Sequence, residues 1–121
     1  MPAKPAVVLC VDDDEMGLSV RKLLLESQGY MVLTAQSGHV ALELLRSHAV
    51  DLVVLDYYMP GMDGGMLAAE IKRTRPGLPV LMLSAYSWLP PEAIAAVDAF
   101  LTKGDAPDVL FDKMQELLSS S

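Results

Sequence analysis

The sequence predicts an α/β fold built on one parallel sheet. Five short apolar runs alternate with stretches of helical periodicity, which is the pattern of repeated strand–helix units. The runs are apolar at nearly every position, as is typical of parallel strands covered by helices on both faces. Four of them stop at a residue suited to phosphate or a divalent cation, namely Asp12, Asp56, Ser84 and Lys103. Because the carboxyl ends of parallel strands share one edge of the sheet, we expect these four residues to form a site there.

Size, charge and cysteine content narrow the class of protein. The chain has 121 residues, of which 52% are hydrophobic and 21% charged, as in a soluble globular domain. Its formal net charge of −7 disfavours direct nucleic-acid binding, since a phosphate backbone attracts clusters of Lys and Arg. Cys10 is the only cysteine, and no apolar stretch is long enough for a signal peptide or a membrane span. We therefore expect a cytoplasmic protein that binds neither nucleic acid nor membranes.

The first strand–helix unit is placed by residue type. Its strand runs from Val7 to Val11. A helix is predicted from Glu15 to about Gln28, with Gly29 as its left-handed stop. The inward face of this helix is expected to carry apolar residues at helical spacing, namely Met16, Val20, Leu23 and Leu24.

The second and third units follow the same rules. Residues 31–35 form the second strand, and Ser37 caps a helix that ends near Ser47. The inward residues of this helix are expected to be Val40, Ala41, Leu44 and Leu45. The third strand ends at Asp56, and a loop rich in Gly, Met and Pro leads to the third helix, which ends before Pro76. That helix should bury Leu67, Ala68 and Ile71.

The last two units complete a single predicted domain over residues 1–121, with strand–helix units from about residue 6 to 118. The fourth strand ends at Ser84, and a short helix begins near Pro91 and ends at about Val97. The fifth strand ends at Lys103, and Asp105 then opens the last helix. The residues that this helix should bury are Val109, Leu110, Met114 and Leu117.

The acidic residues at the strand ends call for a cation. The run Asp12-Asp13-Asp14 and Asp56 cannot all stay ionised in one pocket unaided, because like charges raise one another's pKa. Mg²⁺ suits such ligands, since it takes oxygens and commonly uses one or two carboxylates together with phosphate oxygens. A carboxylate beside Mg²⁺ can attack a phosphoryl group. Lys103 could supply a compact cation, and Ser84 a hydroxyl donor, to the oxygens of that group.

Several motifs in this order resemble a known family. They are Asp12-Asp13 after a strand, Asp56 before Met-Pro-Gly-Met-Asp-Gly at residues 59–64, Ser84-Ala85, and Phe100-Leu101-Thr102-Lys103. Together they resemble the receiver domain of two-component response regulators, over essentially the whole chain. The resemblance implies a flavodoxin-like three-layer α/β/α fold, with five helices, the fourth of them short, and a parallel sheet of strand order 2-1-3-4-5.

The resemblance also implies roles for the acidic residues. Asp56 would be the phosphoacceptor. Asp13 would bind Mg²⁺ directly, and Asp12 would contribute through water or a hydrogen bond. Asp56 itself and the backbone carbonyl of Tyr58 would complete the protein's share of the metal ligands.

On the phosphate side, the resemblance implies that Ser84 and Lys103 contact the phosphoryl oxygens. Movement of Ser84 toward phosphate would be coupled to Phe100, and the surface of the fourth helix, fifth strand and fifth helix would switch. The phosphoryl donor would be a sensor histidine kinase or a histidine phosphotransfer protein. The implied protein is a signalling phosphoacceptor, not a metabolic enzyme, and could form a phosphorylation-dependent dimer. The chain is either a stand-alone regulator or a segment of a longer protein.

Three features depart from the family pattern. Gly104 follows Lys103 where most receivers have a proline, and the interval from Ser84 to Lys103 is shorter than usual, which predicts a reduced fourth helix. Tyr58 and Tyr86 lie two places beyond Asp56 and Ser84, where family members have residues that flank the phosphoryl group. Two bulky aromatics there are expected to hinder the attacking water and to prolong the phosphorylated state.

Two other functions remain open from the residues. A haloacid dehalogenase-like phosphatase also uses an aspartyl nucleophile, Mg²⁺, a Ser or Thr and a Lys, and Asp12-Asp13-Asp14 could supply its Asp-x-Asp motif. That alternative makes Asp12 the nucleophile and gives Asp56 no role. The second alternative is a receiver-like module that binds partners without being phosphorylated.

Overall fold

The computed structural model describes residues 4–120, in which strands and helices alternate as the sequence predicts. The strands are β1 (Val7–Val11), β2 (Met31–Ala35), β3 (Leu52–Asp56), β4 (Val80–Ser84) and β5 (Ala99–Thr102). The helices are α1 (Glu15–Ser27), α2 (Gly38–Ser47), α3 (Gly64–Thr74), α4 (Pro91–Ala95) and α5 (Pro107–Ser120). None of the helices in this part of the chain is long and apolar enough to cross a membrane.

The five strands form one parallel sheet of order β2-β1-β3-β4-β5, which confirms the flavodoxin-like order that the resemblance implies. The central strands β3 and β4 are buried at every position, whereas the edge strand β5 is half-buried throughout. Val11 is in register with Leu55, and Ser84 with Thr102, so the carboxyl ends of β1, β3, β4 and β5 lie along one edge.

Alternate strand residues pack into two separate cores, one on each face of the sheet, because successive side chains of a strand point to opposite faces. Leu9 and Val53 belong to the core that α2, α3 and α4 cover. Val8 and Val54 belong to the core that α1 and α5 cover. This is the three-layer α/β/α arrangement expected for near-continuous apolar strands.

The inward face predicted for α1 was wrong. The residues assigned to it are exposed: Met16, Val20, Leu23 and Leu24. Leu18 and Leu25 are the buried residues of this helix, and Arg21 lies between them at helical spacing. The helix carries apolar residues on two stripes, and periodicity alone does not identify the stripe that faces the sheet. The packing of α1 therefore places Arg21 on the inner side of the helix, between Leu18 and Leu25.

The other helices largely match their predictions. The Ser37 hydroxyl accepts a hydrogen bond from the Val40 amide at 3.2 Å, which confirms the predicted cap of α2. Ala41 and Leu45 of this helix are buried and Leu44 is half-buried, whereas Val40 is exposed, contrary to prediction. Residues Leu67, Ala68 and Ile71 of α3 are all buried, as predicted.

The last two helices confirm the shortened fourth helix and correct one residue. Helix α4 has only 5 residues. In α5, Met114 is buried, and Leu110 and Leu117 are half-buried as part of the same core. Val109 is 42% exposed, so its predicted burial was wrong. It lies in the first turn of α5, directly before Leu110, which is the first residue of this helix in the core.

Candidate functional site

The predicted site residues meet at the carboxyl edge of the sheet. Asp12 follows β1, Asp56 ends β3 and Ser84 ends β4, and all three side chains are buried. Lys103 follows β5, and its backbone amide donates to the Ser84 carbonyl at 2.7 Å. The sheet order places β1 beside β3 and β4 beside β5, which brings together residues far apart in the sequence. The structure therefore places these four predicted residues at one edge of the sheet.

Three carboxylates form a possible metal site. Asp12, Asp13 and Asp56 each offer one oxygen, and these oxygens lie within 4.8 Å of one another. Asp12 and Asp56 are buried, while Asp13 is exposed and so leaves one side of the group open to solvent. Oxygens clustered in this way fit a hard divalent cation that keeps part of its water shell, as Mg²⁺ does.

Lys103 bridges the two buried carboxylates. Its Nζ lies 3.0 Å from Asp12 Oδ2 and 3.1 Å from Asp56 Oδ1. The peptide bond from Lys103 to Gly104 is trans, as are all others in residues 4–120. The replacement of the usual proline by Gly104 therefore leaves the lysine in contact with both acids.

Arg21 is a cation that the sequence analysis did not anticipate at this edge. Its Nη1 lies 3.4 Å from Asp12 Oδ2, the oxygen that also contacts Lys103. The arginine side chain is only 12% exposed. Its helical spacing from Leu18 and Leu25 becomes a signal only once that stripe is known to face the sheet, because an arginine between buried residues needs an acidic partner nearby.

The two buried acids have opposite pKa shifts. Burial raises the pKa of Asp56, and it outweighs the favourable contact with Lys103. Burial also acts upward on Asp12, but the Asp14 amide, Lys103 and Arg21 together hold the Asp12 pKa below its ordinary value. Lys103 has a raised pKa despite desolvation, because both carboxylates favour its charged form. The negative charge of Asp12 is thus well compensated by its neighbours, whereas the ionised form of Asp56 is unfavourable.

Glycines allow the loop after β3 to fold tightly against Asp56. Gly61 has a φ of 79°, which favours glycine. A Cβ at Gly64 would lie 2.4 Å from the Asp56 carbonyl oxygen and 2.7 Å from the Tyr57 Cα, so no larger residue fits there without movement of the backbone. Asp63 then caps α3 by accepting a hydrogen bond from the Met66 amide at 2.9 Å. This loop therefore packs directly against the backbone at the carboxyl end of β3, where Asp56 lies.

Ser84 and Phe100 lie on the same face of the sheet. Ser84 is fully buried, and its hydroxyl accepts a hydrogen bond from the Tyr86 amide at 3.1 Å. Met82 is in register with Phe100, and Ser84 is two residues beyond Met82 on the same side of β4. Phe100 is half-buried against the core on this face. The serine and the phenylalanine are therefore diagonal neighbours, as the predicted coupling requires.

Three tyrosines in the loops after β3 and β4 contact one another. Tyr58 packs edge-to-face against Tyr57 at a centroid distance of 4.8 Å and against Tyr86 at 5.3 Å. Tyr58 and Tyr86 are both more than half exposed. These two tyrosines come from the loops after β3 and β4, so each follows a proposed site residue by two positions. Their edge-to-face contact joins the loop that follows Asp56 to the loop that follows Ser84.

Comparison with known families identifies the family of this chain. The family model of the response regulator receiver domain matches residues 8–115. The chain belongs to this family. Receiver domains are the signal-receiving part of two-component systems, and they take phosphoryl groups from histidine kinases. The haloacid dehalogenase alternative is not favoured by this membership.

Curated relatives of this receiver domain are regulators of transcription. The chain is 43% identical over 125 residues to transcriptional regulatory protein GlrR of Escherichia coli (strain K12), covering 100% of this chain and 28% of GlrR. It is 38% identical over 119 residues to ZraR of Salmonella typhimurium, covering 94% of this chain and 26% of ZraR. The chain therefore spans about a quarter of the length of these relatives.

Solved receiver structures have the same fold. Response regulator TrrA of Thermotoga maritima, solved in complex with Mg²⁺-BeF, matches with a TM-score of 0.88 and 33% identity over 93% of this chain and 98% of TrrA. A CheY-like receiver domain of Methanospirillum hungatei matches with a TM-score of 0.90 and 29% identity, over 96% and 95% of the two chains. These matches confirm the receiver fold.

Proposed function

We propose that this receiver domain accepts a phosphoryl group on Asp56 from a phosphohistidine of a sensor histidine kinase or a histidine phosphotransfer protein. The observation that carries this proposal is the position of Asp56 at the end of β3. Its carboxylate is buried, contacts Lys103 at 3.1 Å and has two further carboxylates within metal-ligating distance. Asp12 is a less suitable nucleophile, because Arg21 and Lys103 both contact one of its oxygens and the Asp14 amide contacts the other.

The proposed reaction transfers a phosphoryl group from a histidine nitrogen to an oxygen of Asp56. An oxygen of Asp56 attacks phosphorus, the bond from phosphorus to the histidine nitrogen breaks, and the imidazole leaves. Lys103 neutralises charge on one phosphoryl oxygen. The Ser84 hydroxyl donates a hydrogen bond to a second phosphoryl oxygen. In hydrolysis, water attacks phosphorus, the bond from phosphorus to the Asp56 oxygen breaks, and inorganic phosphate leaves while the Asp56 carboxylate is regenerated. This is self-catalysed chemistry of a signalling protein and not the turnover of a metabolite, and we place it in the cytoplasm.

Asp12, Asp13 and Asp56 would hold Mg²⁺, together with the Tyr58 carbonyl. When bound, the ion neutralises charge on the carboxylates and the phosphoryl oxygens. TrrA, which is 33% identical to this chain, was solved with Mg²⁺-BeF, and this supports the assignment. Asp13 suits the role of a direct ligand because its exposed side chain leaves room for the water that Mg²⁺ retains.

Asp13→Asn is expected to abolish the stabilisation of the protein by Mg²⁺. A ligand that binds only the folded state adds about 1.4 kcal/mol at ten times its dissociation constant. Thermal unfolding with and without Mg²⁺ measures this gain. Asp51→Asn is the control, because Asp51 lies at the opposite end of β3 and should leave the Mg²⁺ gain unchanged. A full Mg²⁺ gain in Asp13→Asn would contradict the proposed ligand set.

Phosphorylation would change the surface of α4, β5 and α5 through Ser84 and Phe100. The Ser84 hydroxyl would turn from the Tyr86 amide toward phosphate, and Phe100 would fill the space that this movement leaves. The reduced α4 covers less of β5 than a longer helix would, so the switching surface would be β5 and α5 more than α4. The output of this switch would be a phosphorylation-dependent dimer through the same surface.

Tyr86→Ala is expected to shorten the lifetime of the phosphorylated state. Tyr58 and Tyr86 pack edge-to-face at a centroid distance of 5.3 Å in the loops that follow Asp56 and Ser84, and would restrict the approach of water to phosphorus. Removing one ring should accelerate dephosphorylation by about 3- to 10-fold, the effect of a barrier lowered by about 1 kcal/mol. Trp88→Ala is the matched control, since Trp88 is a similarly exposed aromatic of the same loop. Equal lifetimes in wild type and Tyr86→Ala would refute this role.

A further inference from the structure

Arg21 contacts the site from α1, outside the set of residues that the receiver motifs contain. It shares one oxygen of Asp12 with Lys103, at 3.4 Å and 3.0 Å respectively. Asp12 is 1% exposed, so its charge depends on protein partners and not on water. The other Asp12 oxygen accepts a hydrogen bond from the Asp14 amide at 3.0 Å. Asp12 therefore has three partners, and two of them are cations on one oxygen.

Lys103 would have to contact both Asp12 and the phosphoryl group on Asp56. Its Nζ bridges Asp12 and Asp56, but a phosphoryl group on Asp56 would draw the lysine toward the phosphoryl oxygens. Leaving Asp12 would cost free energy if the lysine were the only side-chain cation on it, because breaking an ion pair of a buried carboxylate removes part of its charge compensation. Arg21 removes this difficulty, since a guanidinium stays charged at all relevant pH values and remains on Asp12 when the lysine moves.

Arg21 also changes the formal charge of the metal site. Asp12, Asp13 and Asp56 contribute −3, Lys103 brings the total to −2, and Arg21 brings it to −1. A cation held against one of the carboxylates opposes the binding of a second cation to the same group. The arginine should therefore weaken the affinity for Mg²⁺ while it assists the movement of Lys103.

We propose that Arg21 is a positioning residue of the phosphotransfer site, which holds Asp12 neutralised so that Lys103 can transfer from Asp12 to the phosphoryl group on Asp56. The cost of this arrangement is a weaker Mg²⁺ site. This inference rests on the proposed phosphoacceptor function. Arg21 and Lys103 both line the groove between α1 and the loop after β5, so the lysine moves within a space that the arginine borders.

Arg21→Met tests the two effects separately, because they have opposite signs. Mg²⁺ affinity is measured by titration, following the amide NMR shifts of Asp13 and Asp56, and requires no phosphorylation. We expect it to tighten by about tenfold when the competing charge is removed. The rate of phosphorylation by acetyl phosphate at saturating Mg²⁺ should fall by about tenfold, because Lys103 is then retained by Asp12. A purely structural role would weaken both together.

Three variants serve as controls. Lys22→Met removes the same formal charge from the adjacent position of α1, but Lys22 lines the groove over β2 and not the acidic site, so it should leave both measurements near wild type. Arg21→Lys keeps the positive charge, so its Mg²⁺ affinity and its phosphorylation rate should both be close to those of the wild type. Arg21→Gln repeats the charge removal with a polar side chain, in case the Arg21→Met variant does not fold.

The outcomes distinguish this inference from the proposed function. Tighter Mg²⁺ binding together with slower phosphorylation, in Arg21→Met or Arg21→Gln but not in Lys22→Met, supports the role of Arg21. Unchanged or weaker Mg²⁺ binding, or an unchanged rate, overturns it. A wild-type protein that takes up no phosphoryl group overturns the proposed function instead, and the Mg²⁺ titration then still tests the charge effect of Arg21.

Discussion

Asp56→Asn protein is expected to take up no phosphoryl group from acetyl phosphate and to bind no beryllofluoride, while the wild type does both. The amide has the same shape as the carboxylate but lacks the nucleophilic oxygen. The loss should exceed about a thousandfold, since no other group can replace the nucleophile at the end of β3. Intact-mass measurement after incubation with acetyl phosphate and Mg²⁺ detects the added phosphoryl group directly.

The fold should survive this change. Burial raises the pKa of Asp56, which means that its ionised form is unfavourable in the folded protein. Neutralising the residue removes that unfavourable charge, so the melting temperature of Asp56→Asn should be equal to or above that of the wild type at pH 7. Loss of labelling with an unchanged or higher melting temperature would then report chemistry and not misfolding.

Asp12→Asn is the matched variant that separates the two possible nucleophiles. It should reduce labelling, because Asp12 would help to hold Mg²⁺, yet leave a detectable phosphorylated product at Asp56. The phosphatase alternative predicts the reverse, with labelling lost in Asp12→Asn and retained in Asp56→Asn. Full labelling of the Asp56→Asn variant would therefore refute the assignment of the phosphoacceptor.

Lys103→Met is expected to have the second largest effect. The lysine is the cation closest to both buried acids, at 3.0 and 3.1 Å, and would be the main cation on the phosphoryl oxygens. Removing one such preorganised group from a transition state costs about 3 to 4 kcal/mol, or a factor of about 100 to 1,000 in rate. The rate of labelling at saturating Mg²⁺ measures this loss.

The same variant should show a distinctive dependence of stability on pH. Without Lys103, the buried and ionised Asp56 carboxylate has no lysine beside it to compensate its charge. The variant should therefore be less stable than the wild type at pH 7. An acid whose folded-state pKa is raised binds its proton more tightly in the folded state, and stability recovers as the pH falls through that pKa. The difference in unfolding free energy between variant and wild type should therefore shrink on acidification.

Lys103→Arg is the control for charge. It keeps a cation near Asp12 and Asp56 and should restore stability at pH 7. The larger planar guanidinium cannot replace a compact ammonium at the phosphoryl oxygens, so phosphorylation should stay well below the wild-type rate. Wild-type rates in Lys103→Met would show that the lysine has no part in the transfer.

Particular elements show how far the sequence could predict this structure. The strands were placed accurately because their apolar runs stop abruptly at polar residues, and the cap at Ser37 follows from a local hydrogen bond. The inward face of α1 was wrong because both stripes of that helix carry apolar residues, and the choice between them depends on the sheet beneath. Local signals were sufficient only where the determining contacts are local.

In the candidate site, too, some features follow from the sequence and others only from the tertiary structure. The sequence by itself determined the chemistry at the sheet edge, because Asp12, Asp13, Asp56, Ser84 and Lys103 all follow or end predicted strands. Only the tertiary structure decided how these charges are shared. It placed Lys103 between two carboxylates and brought Arg21 to Asp12. The reason is physical: residue types fix which groups can react, whereas distance, burial and competition for one oxygen arise only when α1 packs against the sheet.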